Sequence, residues 1–167
     1  MDFSSRISQL LHDEHCATVA LMERLEQLIA RHKPANPPDI GDRGVTQLLL
    51  DLCSNMEAEV ERHFAFEEAH VFSYLNTMGD EAISAHLTDE HAAIRPLGTR
   101  IAVMGREAAA RGFDAASWEE FRRVGQELSE RMLAHVQKEE MALLPLLEEG
   151  LDAETEARLL QHYVEEE

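Results

Sequence analysis

The feature that most constrains this chain is a pattern written twice along it. His63-Phe64-Ala65-Phe66-Glu67-Glu68 is answered by His135-Val136-Gln137-Lys138-Glu139-Glu140, and apolar tails follow both at the same offsets, Val71-Phe72-Ser73-Tyr74-Leu75 and Leu143-Leu144-Pro145-Leu146-Leu147. Upstream of each lies a second shared string: Leu11-His12-Asp13-Glu14-His15-Cys16-Ala17 and Leu87-Thr88-Asp89-Glu90-His91-Ala92-Ala93 have Leu-x-Asp-Glu-His-x-Ala in common. His15 precedes His63 by 48 residues and His91 precedes His135 by 44. The chain therefore reads as two helical hairpins, each offering one histidine and then a His-x-x-x-Glu.

The sequence around the pattern is helical. Ile7, Leu10, Leu11, Val19, Met22, Leu25 and Leu28 recur at steps of three, four and seven, which predicts one apolar stripe on a helix from about Ser5 to Arg31. The stretch from Lys33 to Asp42, with Pro34, Pro37 and Pro38, predicts a loop. A second helix is expected from about Gly44 to Met78, stopped by Gly79, and a third from near Asp80 to about Arg111, ahead of Gly112. Pro96 inside the third predicts a kink or a break. Ser117-Trp118-Glu119-Glu120 is expected to open the fourth as a capping box, with the helix running to Glu149 before Gly150. Residues 152–164 predict a short fifth helix capped by Asp152. Aromatics make up 5% of the chain and alternating runs are absent, so no strand is expected. The fold expected is all-α: an up-down-up-down four-helix bundle with a short C-terminal fifth helix, in one domain over residues 1–167.

Fifteen Lys and Arg against 33 Asp and Glu give a formal charge of −18. A surface this acidic repels phosphate, which argues against nucleic acid and anionic lipid as partners. No stretch approaches the roughly 18 apolar residues of a membrane span. Met1-Asp2-Phe3-Ser4-Ser5-Arg6 leads into polar, periodic sequence rather than an apolar signal core. Cys16 and Cys53 fall in no disulfide or zinc-finger spacing, which suits a reducing compartment. The expectation is a soluble, cytoplasmic protein.

A step of four residues turns about 40° around a helix, so His63 shares a face with Glu67, and His135 with Glu139. Imidazole and carboxylate without thiolate suit iron, manganese or zinc. Six candidate ligands, His15, His63, Glu67, His91, His135 and Glu139, exceed what a closed tetrahedral zinc site takes, and point to two metals that share the glutamates. His12, His70 and His86 are candidates for a fifth imidazole or for the pocket lining, a surface or supporting place being the plainer reading. Glu68 and Glu140 are assigned to a solvated helix face, Cys16 to a small buried filler, and His32 and His162 to helix ends.

The series His15, His63-x-x-x-Glu67, His91, His135-x-x-x-Glu139 resembles the hemerythrin-like family, the HHE cation-binding domains, over nearly the whole chain. The resemblance implies an up-down bundle around a non-haem di-iron centre, two iron ions bridged by carboxylate and by oxo or hydroxo. It makes His15, His63, His91 and His135 terminal ligands, and Glu67 and Glu139 bridges. One departure stands out: oxygen-carrying hemerythrins have two histidines four apart on the third helix, whereas the positions four either side of His91 are Leu87 and Arg95. Two histidines, two carboxylate oxygens and an oxo bridge leave one octahedral position open on each iron. The expected function is to bind or sense dioxygen or nitric oxide. The alternatives are a redox enzyme acting on peroxide or nitric oxide, and iron handling or iron–sulfur repair.

Overall fold

The turn residues and the apolar stripes together decide where the helices begin and end. In the computed structural model residues 3–165 are described, without the side chain of Glu59; residues 1–2 and 166–167 of the expected 1–167 domain lie outside them. Helix α1 is Arg6–Arg31, capped by Ser5, whose Oγ accepts the Ser8 N–H at 3.3 Å. Helix α2 covers residues 43–78 and is capped by Asp42, whose carboxylate takes the Gly44 N–H at 2.8 Å. It ends at Gly79, where φ is +93°, a left-handed value at which a Cβ is strained. Helix α3 is Glu81–Arg111, closed by Gly112 at φ +79°. Helix α4 covers residues 115–150 and α5 is Ala153–Glu165. The described residues contain no strand. No helix among them is long and apolar enough to cross a membrane.

Contacts run α1 to α2, α2 to α3, α3 to α4 and α4 back to α1, which closes a four-helix ring. Two hydrophobic clusters fill it, one at each end. One holds Leu25, Leu49, Phe64, Ile94, Trp118 and Met132; the other holds Leu11, Phe66, Phe72, Leu87, Leu143 and Leu147. Along α1 the chain meets the second cluster at Leu11, then the first at Leu25. Along α2 the order is reversed, along α3 it returns, and along α4 it reverses again. The helices therefore run up, down, up and down, as the two-residue connection from α2 to α3 and the three-residue connection from α3 to α4 require. Leu159 and Tyr163 of α5 join the second cluster.

Three local expectations change. Of the kink or break expected at Pro96 the break is absent: helix α3 runs on through it, packed against α2 on one side and α4 on the other. The cap of α4 is Asp114 rather than Ser117: the Asp114 carboxylate takes the Ser117 N–H at 2.7 Å, while Ser117 Oγ accepts the Asp114 N–H at 3.0 Å. A charged cap also suits the positive end of the helix dipole better than a serine does. The third change concerns α2 and α4, which are not uniformly α-helical. Asn55–Glu59 and Glu67–Val71 in α2 and Glu139–Leu143 in α4 are π-helical turns. Glu67 and Glu139, the matching glutamates of the duplicated pattern, each begin one. Such turns insert one extra residue into the helical register and gather at functional sites.

Candidate metal centre

Each of the four helices passes from one apolar cluster to the other, and at that crossing each turns polar side chains inward. His15 comes from α1, His63 and Glu67 from α2, His91 from α3, and His135 and Glu139 from α4. All six are buried, and Glu67, His91 and Glu139 have no exposed surface at all. Their donor atoms form two groups, His15, His63, Glu67 and Glu139, and Glu67, His91, His135 and Glu139, within each of which one atom per residue lies within 4.8 Å of the others.

The two carboxylates belong to both groups because each divides its oxygens. Glu67 Oε1 lies 3.1 Å from His63 Nε2, and its Oε2 lies 3.4 Å from His91 Nε2. Glu139 Oε2 lies 3.0 Å from His15 Nε2, and its Oε1 lies 3.0 Å from His135 Nε2. None of these four oxygens accepts a well-formed hydrogen bond, and Nε2 of His15 has no such partner either. Nε2 of His91 and of His135 face one another at 3.0 Å. Buried carboxylates without donors and ring nitrogens turned towards each other demand positive charge between them. A pair of cations, one per group, meets that demand, so the residues present fit a two-metal centre.

The opposite ring nitrogens are all anchored. Nδ1 of His15 meets Glu140 at 2.6 Å, Nδ1 of His63 meets Glu14 at 2.5 Å, Nδ1 of His91 meets Glu68 at 2.8 Å, and Nδ1 of His135 meets Glu90 at 3.0 Å. An ionised carboxylate has no proton to donate, so each Nδ1 carries the hydrogen and each Nε2 is directed inward as a lone pair when the ring is neutral. The two halves match: the glutamate before each Asp-Glu-His histidine holds the His-x-x-x-Glu histidine of its own hairpin, and the second glutamate of each Glu-Glu holds the first histidine of the other hairpin.

The earlier assignment of Glu68 and Glu140 to a solvated face is thus corrected. Their side chains are 29% and 25% exposed, and both are turned onto imidazoles. Glu14 and Glu90, each 19% exposed, do the same. The signal for all four was present in the repeat, which duplicates them along with the histidines. Further out, each carboxylate meets another group. Arg62 pairs with Glu14, Arg95 with Glu68 at 2.8 Å, Lys138 with Glu90, and His12 Nδ1 lies 2.9 Å from Glu140.

Electrostatics follow this packing. Burial favours the neutral form of every group, but here charge pairing outweighs it. Against the pull of burial, the Glu139 and Glu140 carboxylates raise His15 to about 9, and Glu139 and Glu67 raise His91 to about 9. His63 and His135 are raised by the same kind of neighbours, and Glu139 is held well below the usual carboxylate range despite its burial. Glu14, though burial raises it, is drawn down to about 2 by His63, Tyr163 and Arg62.

The remaining histidines stay outside. His12 supports Glu140, as above. His70 stacks on His162 with centroids 4.1 Å apart, and His86 is exposed beside Glu90. Leu87 sits in the second apolar cluster, and Phe64 and Phe72 stack on His91 with centroids 3.7 and 5.4 Å away. Cys16 is exposed rather than a buried filler, with Sγ 3.5 Å from His12 Nε2; Cys53 is buried, and both are free. A cavity of about 210 Å³ opens against His15, His63, His135 and Glu139, with Val60, Phe64, Met132 and Val136 among its apolar walls.

A four-helix bundle that crosses its core with four inward imidazoles and two shared carboxylates defines a metal-binding helical protein. The model of the hemerythrin HHE cation-binding domain matches residues 6–147 and again residues 83–167, and the chain belongs to that family. The overlap of the two matches, residues 83–147, contains the second copy of the pattern. No curated protein matches the chain.

Proposed function

We propose that the centre holds two iron ions, one between His15 and His63 and one between His91 and His135, with Glu67 and Glu139 each giving one oxygen to either, and that the pair binds dioxygen or nitric oxide. The observation that carries this reading is the division of both carboxylates between the two histidine pairs. A single metal would be shared by only one of the two histidine pairs, and without metal the oxygens would face only protonated imidazoles. When bound, iron supplies an open coordination position and an exchangeable electron to a diatomic ligand.

The residues of the chain then set access. Val60, Phe64, Met132 and Val136 give the cavity an apolar wall, which suits a small uncharged gas. Phe64 and Phe72 are stacked against His91, which does not reach the cavity. Ligand is therefore expected from the cavity that His15, His63 and His135 line, and not from the His91 face. The four outer glutamates keep the rings oriented while ligand enters and leaves. The formal charge of −18 supports a partner that is neither nucleic acid nor anionic membrane, and the two free cysteines support a reducing, cytoplasmic setting.

The test is a titration of the reduced, iron-loaded protein with dioxygen and, separately, with nitric oxide under anaerobic conditions. A saturable change in the visible spectrum with either gas is expected. No response to either gas would overturn the ligand assignment, and sustained turnover of peroxide or nitric oxide well above free iron would replace it with an enzymatic one.

A further inference from the structure

Helix α5 is not needed to close the four-helix ring, yet it reaches the surroundings of the centre. Tyr163 is buried, edge-on to Phe66 at 5.4 Å and with the Arg62 guanidinium 5.2 Å over its ring. Its hydroxyl donates to Glu14 Oε1 at 2.7 Å, and Glu14 Oε2 accepts the Nδ1 proton of His63 at 2.5 Å. A continuous line of hydrogen bonds thus runs from the C-terminal helix through Glu14 to a ring of the centre. The matching carboxylate of the other hairpin, Glu90, is backed by Lys138 of α4 instead. The duplication is broken at this point, and α5 breaks it.

The helix is also fastened at its opposite end. Glu156 Oε1 accepts the Arg6 N–H at 2.6 Å and the Ser5 hydroxyl at 3.0 Å, which ties α5 to the start of α1, the helix that carries His15. Leu159 is buried between these two ends.

We propose that Tyr163 is a positioning residue for the centre, acting through Glu14 on His63, so that α5 tunes one of the two metal positions and leaves the other alone. The proposal rests on the two-metal reading above. A carboxylate on the outer nitrogen of a ligating histidine fixes the ring and sets its basicity. A phenol donating to that carboxylate fixes its rotamer in turn and withdraws part of its charge. Without the hydroxyl, Glu14 keeps Arg62 but loses one of the groups that hold its orientation, and His63 follows it.

Tyr163→Phe tests this, because the ring stays against Phe66 and beneath Arg62 while the hydroxyl is lost. The first readout is iron release to a chelator. In Tyr163→Phe one of the two irons is expected to leave about 3- to 10-fold faster and the other at the parent rate. The second readout is the proton spectrum of the zinc-loaded protein, where the His63 Nδ1–H resonance is expected to move and that of His135 to stay. The third is the double variant: in a Glu14→Gln background Tyr163→Phe is expected to add nothing further. Release and resonances unchanged in Tyr163→Phe, or the same increment with and without Glu14, would overturn the proposal. Failure of the parent protein to hold metal would overturn the two-metal reading instead, and is seen before any variant is compared.

Discussion

Glu140 Oε1 lies 2.6 Å from Nδ1 of His15, although 125 residues separate them in the chain. The contact joins the second hairpin to the first and fixes which nitrogen of His15 faces the centre. Replacing Glu140 by alanine is expected to lower metal affinity about 10- to 100-fold while helical content stays unchanged, measured by competition with a chelator. Unchanged affinity would remove Glu140 from the centre and return it to the surface.

Glu67 and Glu139 have a different part, because each faces both histidine pairs. Glu67→Ala and Glu139→Ala are each expected to lower metal occupancy and to weaken the magnetic coupling between the irons that remain. Full iron content with unchanged coupling in both variants would show that neither glutamate bridges.

The protons on the rings make metal-free stability depend on pH in a definite direction. His15 and His91 are held at about 9 in the folded chain against an ordinary 6.5, burial being outweighed by the facing carboxylates. A proton held more tightly by the folded than by the unfolded chain stabilises the fold. That contribution is complete below pH 6.5 and is lost as the pH rises through 9. Metal-free protein is therefore expected to melt at a lower temperature at pH 9 than at pH 6.5. Metal uptake near neutral pH is expected to release protons, read as a binding heat that varies with the ionisation heat of the buffer. A heat independent of buffer would contradict the protonated rings.

The cavity beside His15 and His63 has Ala17 on its exposed side. Ala17→Trp is expected to slow combination with dioxygen or nitric oxide without changing iron content, measured by stopped-flow mixing. An unchanged rate would place the route of entry elsewhere.

Trp118 anchors the apolar cluster remote from α5; it is fully buried and its Nε1–H donates to the Lys33 carbonyl at 3.1 Å. Trp118→Ala is expected to cost about 3–5 kcal/mol in thermal or denaturant unfolding. Because the ring is remote from the six inward residues, the folded variant should still take up the parent amount of metal.

Much of this architecture was legible in the amino-acid order, for identifiable reasons. The spacing of Ile7, Leu11, Met22, Leu25 and Leu28 marks the buried stripe of α1, and Gly79 and Gly112 mark helix ends because their left-handed backbone favours glycine. The duplicated pattern singled out His15, His63, Glu67, His91, His135 and Glu139, which the fold brings together. What the pattern hid was division of labour. Two adjacent glutamates such as Glu67 and Glu68 look alike in a string, but about 100° of helical rotation sends one inward and the other onto His91. The π-helical turns that begin at Glu67 and Glu139 leave no mark in composition. Nor does spacing show that Tyr163, 149 residues from Glu14, returns to touch it, since only the docking of α5 sets that contact.

The two-iron centre is tested by metal content, measured by mass spectrometry on protein purified without a histidine tag or chelator. Close to two irons per chain are expected, both lost together when Glu67 and Glu139 are replaced. Near-zero metal in a protein that is still a folded helical bundle would contradict it, and the six inward side chains would then be a protonated polar core.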